Sequence, residues 1–205
     1  MKSEHAQLMN GISNPVNIEK PYQIAVELTG SCPLILHRWN SDSVDEKAKA
    51  KKGSKEKKSD DIESYVWRDE DGHICLPGEY LRMAMCYAAK FKQDPRSPRK
   101  SAFDLFKAGI APLTDLAKIN GGVSDWEYLD RRRVVIQRNA ITRTRPCFLK
   151  GWKAQIDLQI IAPEYIDFQL FNEVLSMAGR LIGVGDFRPT FGRFDPTGVK
   201  IIDLM

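Results

Sequence analysis

Apolar and polar residues alternate strictly in two stretches of the chain. From Tyr22 to Leu28 every second side chain is apolar and large, and Trp152 to Ile160 repeats the same period. A period of two is typical of a β-strand that buries one of its faces. The sequence therefore predicts strands at Tyr22–Leu28 and Trp152–Ile160.

Two other stretches repeat their apolar residues at helical spacing. A Pro-Gly-Glu sequence beginning at Pro77 precedes the first stripe, which continues to Phe91, and proline and glutamate both suit a first helical turn. Asp167 precedes the second stripe, which ends at Ile182, and aspartate is a good N-cap residue. These patterns predict helices over Pro77–Phe91 and Phe168–Ile182.

Shorter patterns add smaller elements. The turn sequence Asp69–Gly72 lies between Tyr65–Arg68 and Ile74–Leu76, which predicts a hairpin. Ala102–Ile110 has the pattern of a short helix, whereas residues 111–130 have no clear period and are assigned no element. Two further strands are predicted, at Arg132–Gln137 and Gly192–Ile202.

The main elements follow one another as strand, helix, strand, strand, helix, strand. This order predicts an α+β fold with a ferredoxin-like, RRM-like βαββαβ core, and RNA-recognition modules use that order to hold single strands. We expect one domain over residues 1–205, with insertions after the first strand and after the first helix. The insertions are a flexible charged segment, residues 41–61, and a second segment, residues 93–130.

The amino-acid composition says less about the fold and the partners of the chain than the hydrophobic pattern does. The chain has 205 residues, a net charge of +4 and a pI near 8.8, which favour solubility without naming a partner. Its four cysteines stand far apart without a CxxC pair, and no signal peptide or long apolar run is found. We expect a protein of the reducing cytoplasm with no membrane partner, no metal and no cofactor.

The charge is concentrated in one stretch. Arg131 to Lys153 contains eight basic residues and no acid, and it lies between and beside predicted strands. Such a stretch fits a hairpin that neutralises phosphates, or a solvated strand edge whose cations prevent aggregation. The charged segment before residue 61 is likewise open to two interpretations, a solvated helix or loop and a flexible basic finger.

A glycine-rich stretch, Gly179–Phe194, separates the last predicted helix from the last strand. It combines four glycines with three arginines and three aromatic rings. Glycine lets another backbone approach closely, so the loop amides of Gly183 and Gly185 are candidates to bind a phosphate. The alternative is a helix C-cap followed by a tight turn. The stretch lacks the Lys-Ser/Thr pair of an NTPase phosphate loop, which argues against nucleotide hydrolysis.

Three motifs in this order resemble the RAMP superfamily, and within it the RNA-binding backbone subunits of CRISPR effector complexes. The first is Ser31–Leu34, where the family has a small residue, proline and leucine. The second is Trp67–Asp69 followed by Ile74–Arg82, which is similar to the family's helix start. The third is Gly183–Gly185 with Gly192–Phe194, which is similar to its glycine-rich loop.

The chain departs from the family at Glu79 and Tyr80, where small hydroxyl residues are usual, and it is short for a backbone subunit. It also resembles small phage and prophage proteins. The resemblance implies a sequence-independent binder of single-stranded nucleic acid, RNA being favoured over DNA, that assembles into a helical filament within a ribonucleoprotein for antiviral defence. Its partners would be the strand, further copies of itself and other subunits, with Asn139–Lys150 lying over the strand held by a neighbour.

The candidate nucleic-acid-binding residues are cations, rings that can stack on bases, and loop glycines. They are Arg38, Trp39, Arg82, Arg131, Arg132, Arg133, Arg138, Arg143, Arg145, Lys150, Lys153, Gly183, Gly185, Phe187, Arg188 and Arg193, with Trp152 as a further stacking candidate.

Two alternatives stay open. Some RAMP proteins cut RNA with a histidine or an aspartate, and the corresponding candidates are His37, Asp60 and Asp61. No paired histidines are found, so we do not expect an enzyme. The other alternative is a phage protein that joins a host defence complex and blocks it.

Overall fold

The computed structural model describes residues 20–38, 61–136 and 139–204. Most of the predicted charged insertion, together with Trp39, Asp60 and Arg138, lies outside the described residues. The described part combines three α-helices with mostly antiparallel sheets, so the predicted α+β class is confirmed.

The central sheet has four antiparallel strands in the order β12-β1-β11-β7. Strand β1 alternates buried and less buried residues along its whole length, as its period of two predicts. The first and last residues of β1 define two ends of the sheet, because Tyr22 pairs with Ile160 and Gly30 pairs with Phe194. The strands are β1 (Tyr22–Gly30), β7 (Ile110–Pro112), β11 (Lys153–Ile160) and β12 (Phe194–Leu204).

Helices cover one face of this sheet. Their buried residues, such as Leu81, Phe106 and Phe171, join the buried face of β1 in one large apolar cluster. The helices are α1 (Gly78–Ala88), α2 (Phe103–Gly109) and α3 (Phe168–Met177), and a π-helical turn (Ala178–Ile182) extends the last. The Asp167 side chain accepts a hydrogen bond from the Leu170 amide, so the predicted N-cap is confirmed.

The opposite face of the sheet carries polar side chains. Gln23, Glu27 and Thr29 of β1 lie beside Lys153 and Asp157 of β11, and neither strand places an aromatic ring on this face. This face is therefore not an aromatic platform of the kind that stacks bases in RNA-recognition modules.

A second sheet contains the basic stretch. Its three strands have the order β2-β10-β9 and are β2 (Leu34–Ile35), β9 (Tyr128–Ile136) and β10 (Asn139–Phe148). The prediction that Arg132–Gln137 is a strand of the central sheet is wrong, because β9 pairs with β10 instead. The edge strand beside β11 is instead β7, within the segment expected to be an insertion.

Two small sheets complete the described part. The predicted hairpin at Asp69–Gly72 is confirmed, since Trp67 pairs with Cys75 across it. The first sheet contains β3 (Trp67–Arg68), β4 (Ile74–Pro77) and β8 (Leu116–Lys118), and the second contains β5 (Gln93–Asp94) and β6 (Ser97–Ser101).

Candidate nucleic-acid interface

The glycine-rich loop and the basic hairpin β9–β10 meet at the Gly30 end of the central sheet. Strand β2, which follows β1, pairs with β10 through Ile35 and Cys147. The same strand contacts the loop on its other side, where the Asp186 amide donates to the Ile35 carbonyl at 2.9 Å. Two features that the sequence singled out separately are therefore held together by β2.

The hairpin has two different faces. Pairing of Arg132 with Arg143, and of Asp130 with Arg145, places these four residues on one face, which packs on the loop. Residues between them point the other way, and Arg131 and Arg133 are exposed there, next to the exposed Val135. No ion pair joins Arg131 or Arg133 to an acid of the described residues. These two cations are therefore available to a polyanion.

An ion-pair node joins the hairpin to the loop. Nη1 of Arg145 lies 2.5 Å from Oδ2 of Asp186, and Nδ1 of His37 lies 3.2 Å from the same oxygen. Arg145 is only 3% exposed. Burial alone would raise the pKa of Asp186, but hydrogen bonds from His37, the Phe187 amide and Arg145 outweigh it and hold that pKa well below its usual range. Asp186 is therefore an anion at neutral pH that anchors the hairpin.

An aromatic residue joins this node to the 3-10 turn that precedes β3 (Glu63–Tyr65). The Tyr65 ring centroid lies 4.5 Å from that of His37, and Nη1 of Arg143 lies 3.1 Å from the Tyr65 hydroxyl oxygen. Strand β10 thus contacts Tyr65 through Arg143 and the glycine-rich loop through Arg145.

Phe187 is the exposed ring of the node. Its backbone φ is 57°, and its side chain is 40% exposed. The guanidinium carbons of Arg132 and Arg145 lie 5.1 and 5.4 Å from the ring centroid, and Arg132 also lies 4.4 Å from that of Phe191. The exposed part of this ring fits contact with the face of a base.

The amides of the glycine-rich loop are used inside the protein. Those of Gly183, Val184 and Gly192 donate to the carbonyls of Ala178, Gly192 and Pro33, each at 2.8 Å. A Cβ atom built on Gly185 would lie 2.6 Å from the Ile35 carbonyl oxygen. The glycines thus let the loop pack against β2, and the Gly183 amide, expected to contact a phosphate, is already paired inside the protein.

The predicted cations fall into two groups. Arg82 donates to the Ile110 carbonyl at 2.8 Å and pairs with Glu79, Arg132 pairs with Asp130, and Arg145 pairs with Asp186, so these three guanidiniums already have partners. The exposed cations without an acidic partner among the described residues are Arg131, Arg133, Lys150, Lys153, Arg188 and Arg193. Arg38 is half-buried, and its guanidinium carbon lies 4.1 Å from the Trp67 ring centroid.

Trp152 is not available for stacking. It is 1% exposed, packs beside Gly30, and donates its indole N–H to the Cys32 carbonyl at 3.0 Å. The prediction that Trp152 stacks on bases is wrong because the indole belongs to the core.

The candidate catalytic residues occupy different settings. His37 makes the contact with Asp186 and leaves its other ring nitrogen without a partner among the described residues. Asp61 is exposed, and its backbone carbonyl accepts a hydrogen bond from the Ser64 hydroxyl at 2.7 Å. The described contacts do not join Asp61 to His37, so the geometry assembles no acid–base pair from them.

One cluster of potential metal ligands lies elsewhere, at the turn between β3 and β4. Asp69, Asp71 and His73 bring their ligand atoms within 4.8 Å of one another. The Lys118 ammonium already lies 3.3 and 3.2 Å from the two carboxylates. Burial opposes ionisation of Asp69, but hydrogen bonds from His73 and Lys118 lower its pKa to about 2. A lysine therefore supplies the cation at this turn.

Sequence reasoning missed the residues that hold the interface together. Asp186 lies within the glycine-rich stretch, yet its partners His37 and Arg145 are far away in the chain. The sequence pattern assigns Tyr65 to a strand and gives it no part in binding, whereas Tyr65 ends a 3-10 turn and contacts His37. In the sequence, Asp186 is the single acid of the glycine-rich stretch, which indicates an ion pair but does not identify the cation that Asp186 binds.

Comparison with known proteins bears on the fold. No protein-family model matches the sequence, and no curated protein matches it. A solved chain of the Type III-B Cmr-β complex bound to cognate target RNA is similar in structure, with a TM-score of 0.56 and 8% sequence identity. The match covers 91% of this chain and 62% of that one. This likeness shows a shared fold.

No helix of the described residues has the length and apolar character needed to cross a membrane.

Proposed function

We propose that this chain is a single-stranded RNA-binding subunit of a CRISPR-type ribonucleoprotein complex and belongs to the RAMP superfamily. The observation that carries the proposal is the hairpin β9–β10, which presents Arg131 and Arg133 to solvent on one face and holds the exposed ring of Phe187 against the other. The fold shared with a chain of an RNA-bound complex supports it.

We interpret the central sheet as a ferredoxin-like core. The strand order β12-β1-β11-β7 corresponds to fourth, first, third and second strands, with α1 and α3 as the two crossover helices. The hairpin β9–β10 is then an addition between the second and third strands. In this interpretation residues 1–205 form one domain.

The strand would lie along the Gly30 end of the sheet. Arg131 and Arg133 would contact it from the outer face of the hairpin, and Arg188, Arg193 and the ring of Phe187 would contact it from the loop on the hairpin's other face. Guanidiniums that bind phosphates read no sequence, so binding is expected to be independent of sequence. The polar, ring-free face of β1 and β11 would contribute little stacking.

Binding and size measurements at several salt concentrations test this proposal. We expect the affinity for a labelled uridine strand to fall steeply with salt, because each neutralised phosphate releases counterions. In the filament version of the proposal, copies assemble side by side in the cytoplasm and particles grow with strand length. A flat salt dependence contradicts RNA binding, and a persistent monomer on long strands contradicts the filament.

A second candidate function is RNA cleavage, which the contact between His37 and Asp186 favours. A carboxylate 3.2 Å from Nδ1 orients the ring and leaves Nε2 to act as a base. Turnover of labelled RNA by the wild-type protein, abolished in His37→Gln but retained in Asp61→Asn, would support this function. Binding without turnover would leave His37 a structural contact of Asp186.

A phage protein that joins a host complex and blocks it would use the same surface. A pull-down with host effector subunits distinguishes it, because an inhibitor binds the complex and lowers its activity, whereas a subunit restores activity to a complex that lacks it.

A further inference from the structure

A second surface of cations and aromatic rings lies at the end of the sheet opposite the hairpin. It consists of residues 87–104, which run from the last turn of α1 through β5 and β6 to the start of α2. We call this segment the distal surface. It contains five cations and two acids.

The contacts of the distal surface fix its position. Ile110, directly after α2, pairs with Ile160, which pairs with Tyr22 at the first residue of β1. The guanidinium of Arg96 lies 5.6 Å from the ring centroid of Tyr165, five residues beyond Ile160.

Helix α3 begins at the same end. The Ile166 side chain, directly before the N-cap Asp167, lies against Gly109 next to Ile110, which places the start of α3 at this end of the sheet. Lys92 of the distal surface lies 2.6 Å from Glu173 on that helix. The distal surface and the hairpin therefore stand at opposite ends of β1.

Two rings of the distal surface, Phe91 and Tyr87, are exposed to solvent. Phe91 is 63% exposed, an unusual position for phenylalanine. Tyr87 is also exposed and lies 5.9 Å from Phe103, and Nζ of Lys90 lies 5.0 and 4.9 Å from these two ring centroids. Phe91 makes no ring or cation contact with the described residues.

The charges of the distal surface are unevenly compensated. Asp94 is buried and pairs with Arg96, and Glu173 pairs with Lys92. Lys90, Arg99 and Lys100 are exposed and form no ion pair with the described acids. The further acids that the described residues place at this end are Asp104, Glu164 and Asp167, all exposed.

We propose that the distal surface is a second contact point for a single nucleic-acid strand whose other part lies on the hairpin. Exposed cations interleaved with projecting rings fit both the phosphates and the base faces of a strand, whereas an acidic peptide would use the cations alone. The inference rests on the proposed function, since the hairpin is the first contact point.

The separation of the two surfaces sets a minimum strand length. At about 3.3 Å per residue, the nine residues of β1 extend roughly 30 Å. Stacked nucleotides advance about 3.4 Å each, so a strand must exceed roughly nine nucleotides to touch both ends. Longer strands then bind more tightly than short ones on a single copy of the chain.

The test compares uridine strands of about 6 and about 20 nucleotides, within and beyond the span of one protein module. Phe91→Ser, and separately Arg99→Ser with Lys100→Ser, should lower affinity for the longer strand about fivefold or more and leave the shorter strand unchanged. The matched control is Ile161→Ser, which removes an exposed apolar side chain at the same end without a ring. Each measurement is made at protein concentrations where light scattering shows one copy per strand.

Three outcomes overturn the inference. In the first, the longer strand binds all variants as tightly as wild type. In the second, Ile161→Ser weakens binding as much as Phe91→Ser, which indicates that any loss of an apolar side chain at this end of the sheet lowers the affinity. In the third, a polyglutamate peptide displaces the longer strand while binding to Phe91→Ser with undiminished affinity, which indicates charge alone. Loss of binding of both lengths in Arg131→Ser with Arg133→Ser supports the proposed function independently, and no binding by wild type ends both.

Discussion

Replacing Asp186 by asparagine should destabilise the protein by removing the only acid that the described residues supply to Arg145. The guanidinium is 3% exposed, and its Nε and Nη2 atoms have no partner among the described residues. Removing one partner of a buried ion pair costs about 3–5 kcal/mol. Because the Asp186 side chain is 35% exposed, water can partly replace it, and we expect a loss of about 2–3 kcal/mol.

Urea unfolding monitored by tryptophan fluorescence measures this loss. The double variant Arg145→Met with Asp186→Asn should be more stable than Asp186→Asn alone, because the uncompensated charge is gone. The matched control is Asp130→Asn, whose partner Arg132 is nearby on the same strand and more exposed, and it should cost about 1 kcal/mol or less.

The same pair predicts a pH dependence. The folded-state pKa of Asp186 lies below that of the unfolded chain, so its contribution is fully present above about pH 5 and is lost as the pH falls through the folded-state value. In Asp186→Asn the unfolding free energy should therefore decrease less between about pH 5 and lower pH than it does in wild type. A change of less than about 0.5 kcal/mol in Asp186→Asn at neutral pH would refute the claim that this ion pair anchors the hairpin.

Three further perturbations test other parts of the account. Gly192→Ala should lower the free energy of thermal unfolding by about 3 kcal/mol or more, because the new Cβ would lie 1.7 Å from the Val184 carbonyl oxygen. The control Gly72→Ala has a similar positive φ but no atom within 4 Å of its Cβ, so it should cost about 1 kcal/mol. Trp152→Phe should cost about 1–2 kcal/mol through its lost hydrogen bond yet leave RNA affinity within about twofold, and a larger affinity loss in the folded variant would restore its stacking role. Burial raises the pKa of Cys147 to about 11, so this thiol should react with a disulfide reagent only after denaturation, and rapid native labelling would contradict its burial.

The larger elements were predictable because each is a local pattern of sufficient length. Strand β1, the two long helices and the turn at Asp69–Gly72 follow from periods and end signals that neighbouring residues supply. A surface position for the basic stretch also followed, because a run of cations without acids is unfavourable in a core, but its first strand pairs with β10 and not with Trp152–Ile160.

The remaining elements depend on contacts that no local pattern contains. Strand β7 has three residues, too few to have a detectable period, and it is defined by pairing with β11. Strand β10 alternates threonine and arginine and includes Pro146, so it lacks an apolar face of its own. Its arginines are held by Tyr65 and Asp186, which lie far from it in sequence.

The glycine-rich stretch illustrates the same limit within the site. Its glycines suggest amides that face a ligand, whereas the amides of Gly183 and Gly192 are paired within the protein and Gly185 packs against β2. Gly185→Val is therefore expected to disturb the loop itself rather than to remove one ligand contact. The loop contributes through the side chains it positions, Asp186 and Phe187.

The salt dependence of RNA binding in Arg131→Ser with Arg133→Ser tests the central claim most directly. A lost phosphate contact on a single strand reduces the slope of log K against log salt by about 0.7, so removing two should reduce it by about 1.4. The control, Lys107→Ser with Lys200→Ser, removes the same charge from exposed positions away from the hairpin. We predict the reduced slope in the hairpin variant alone. Equal slopes in wild type, hairpin variant and control would contradict binding of RNA by this hairpin.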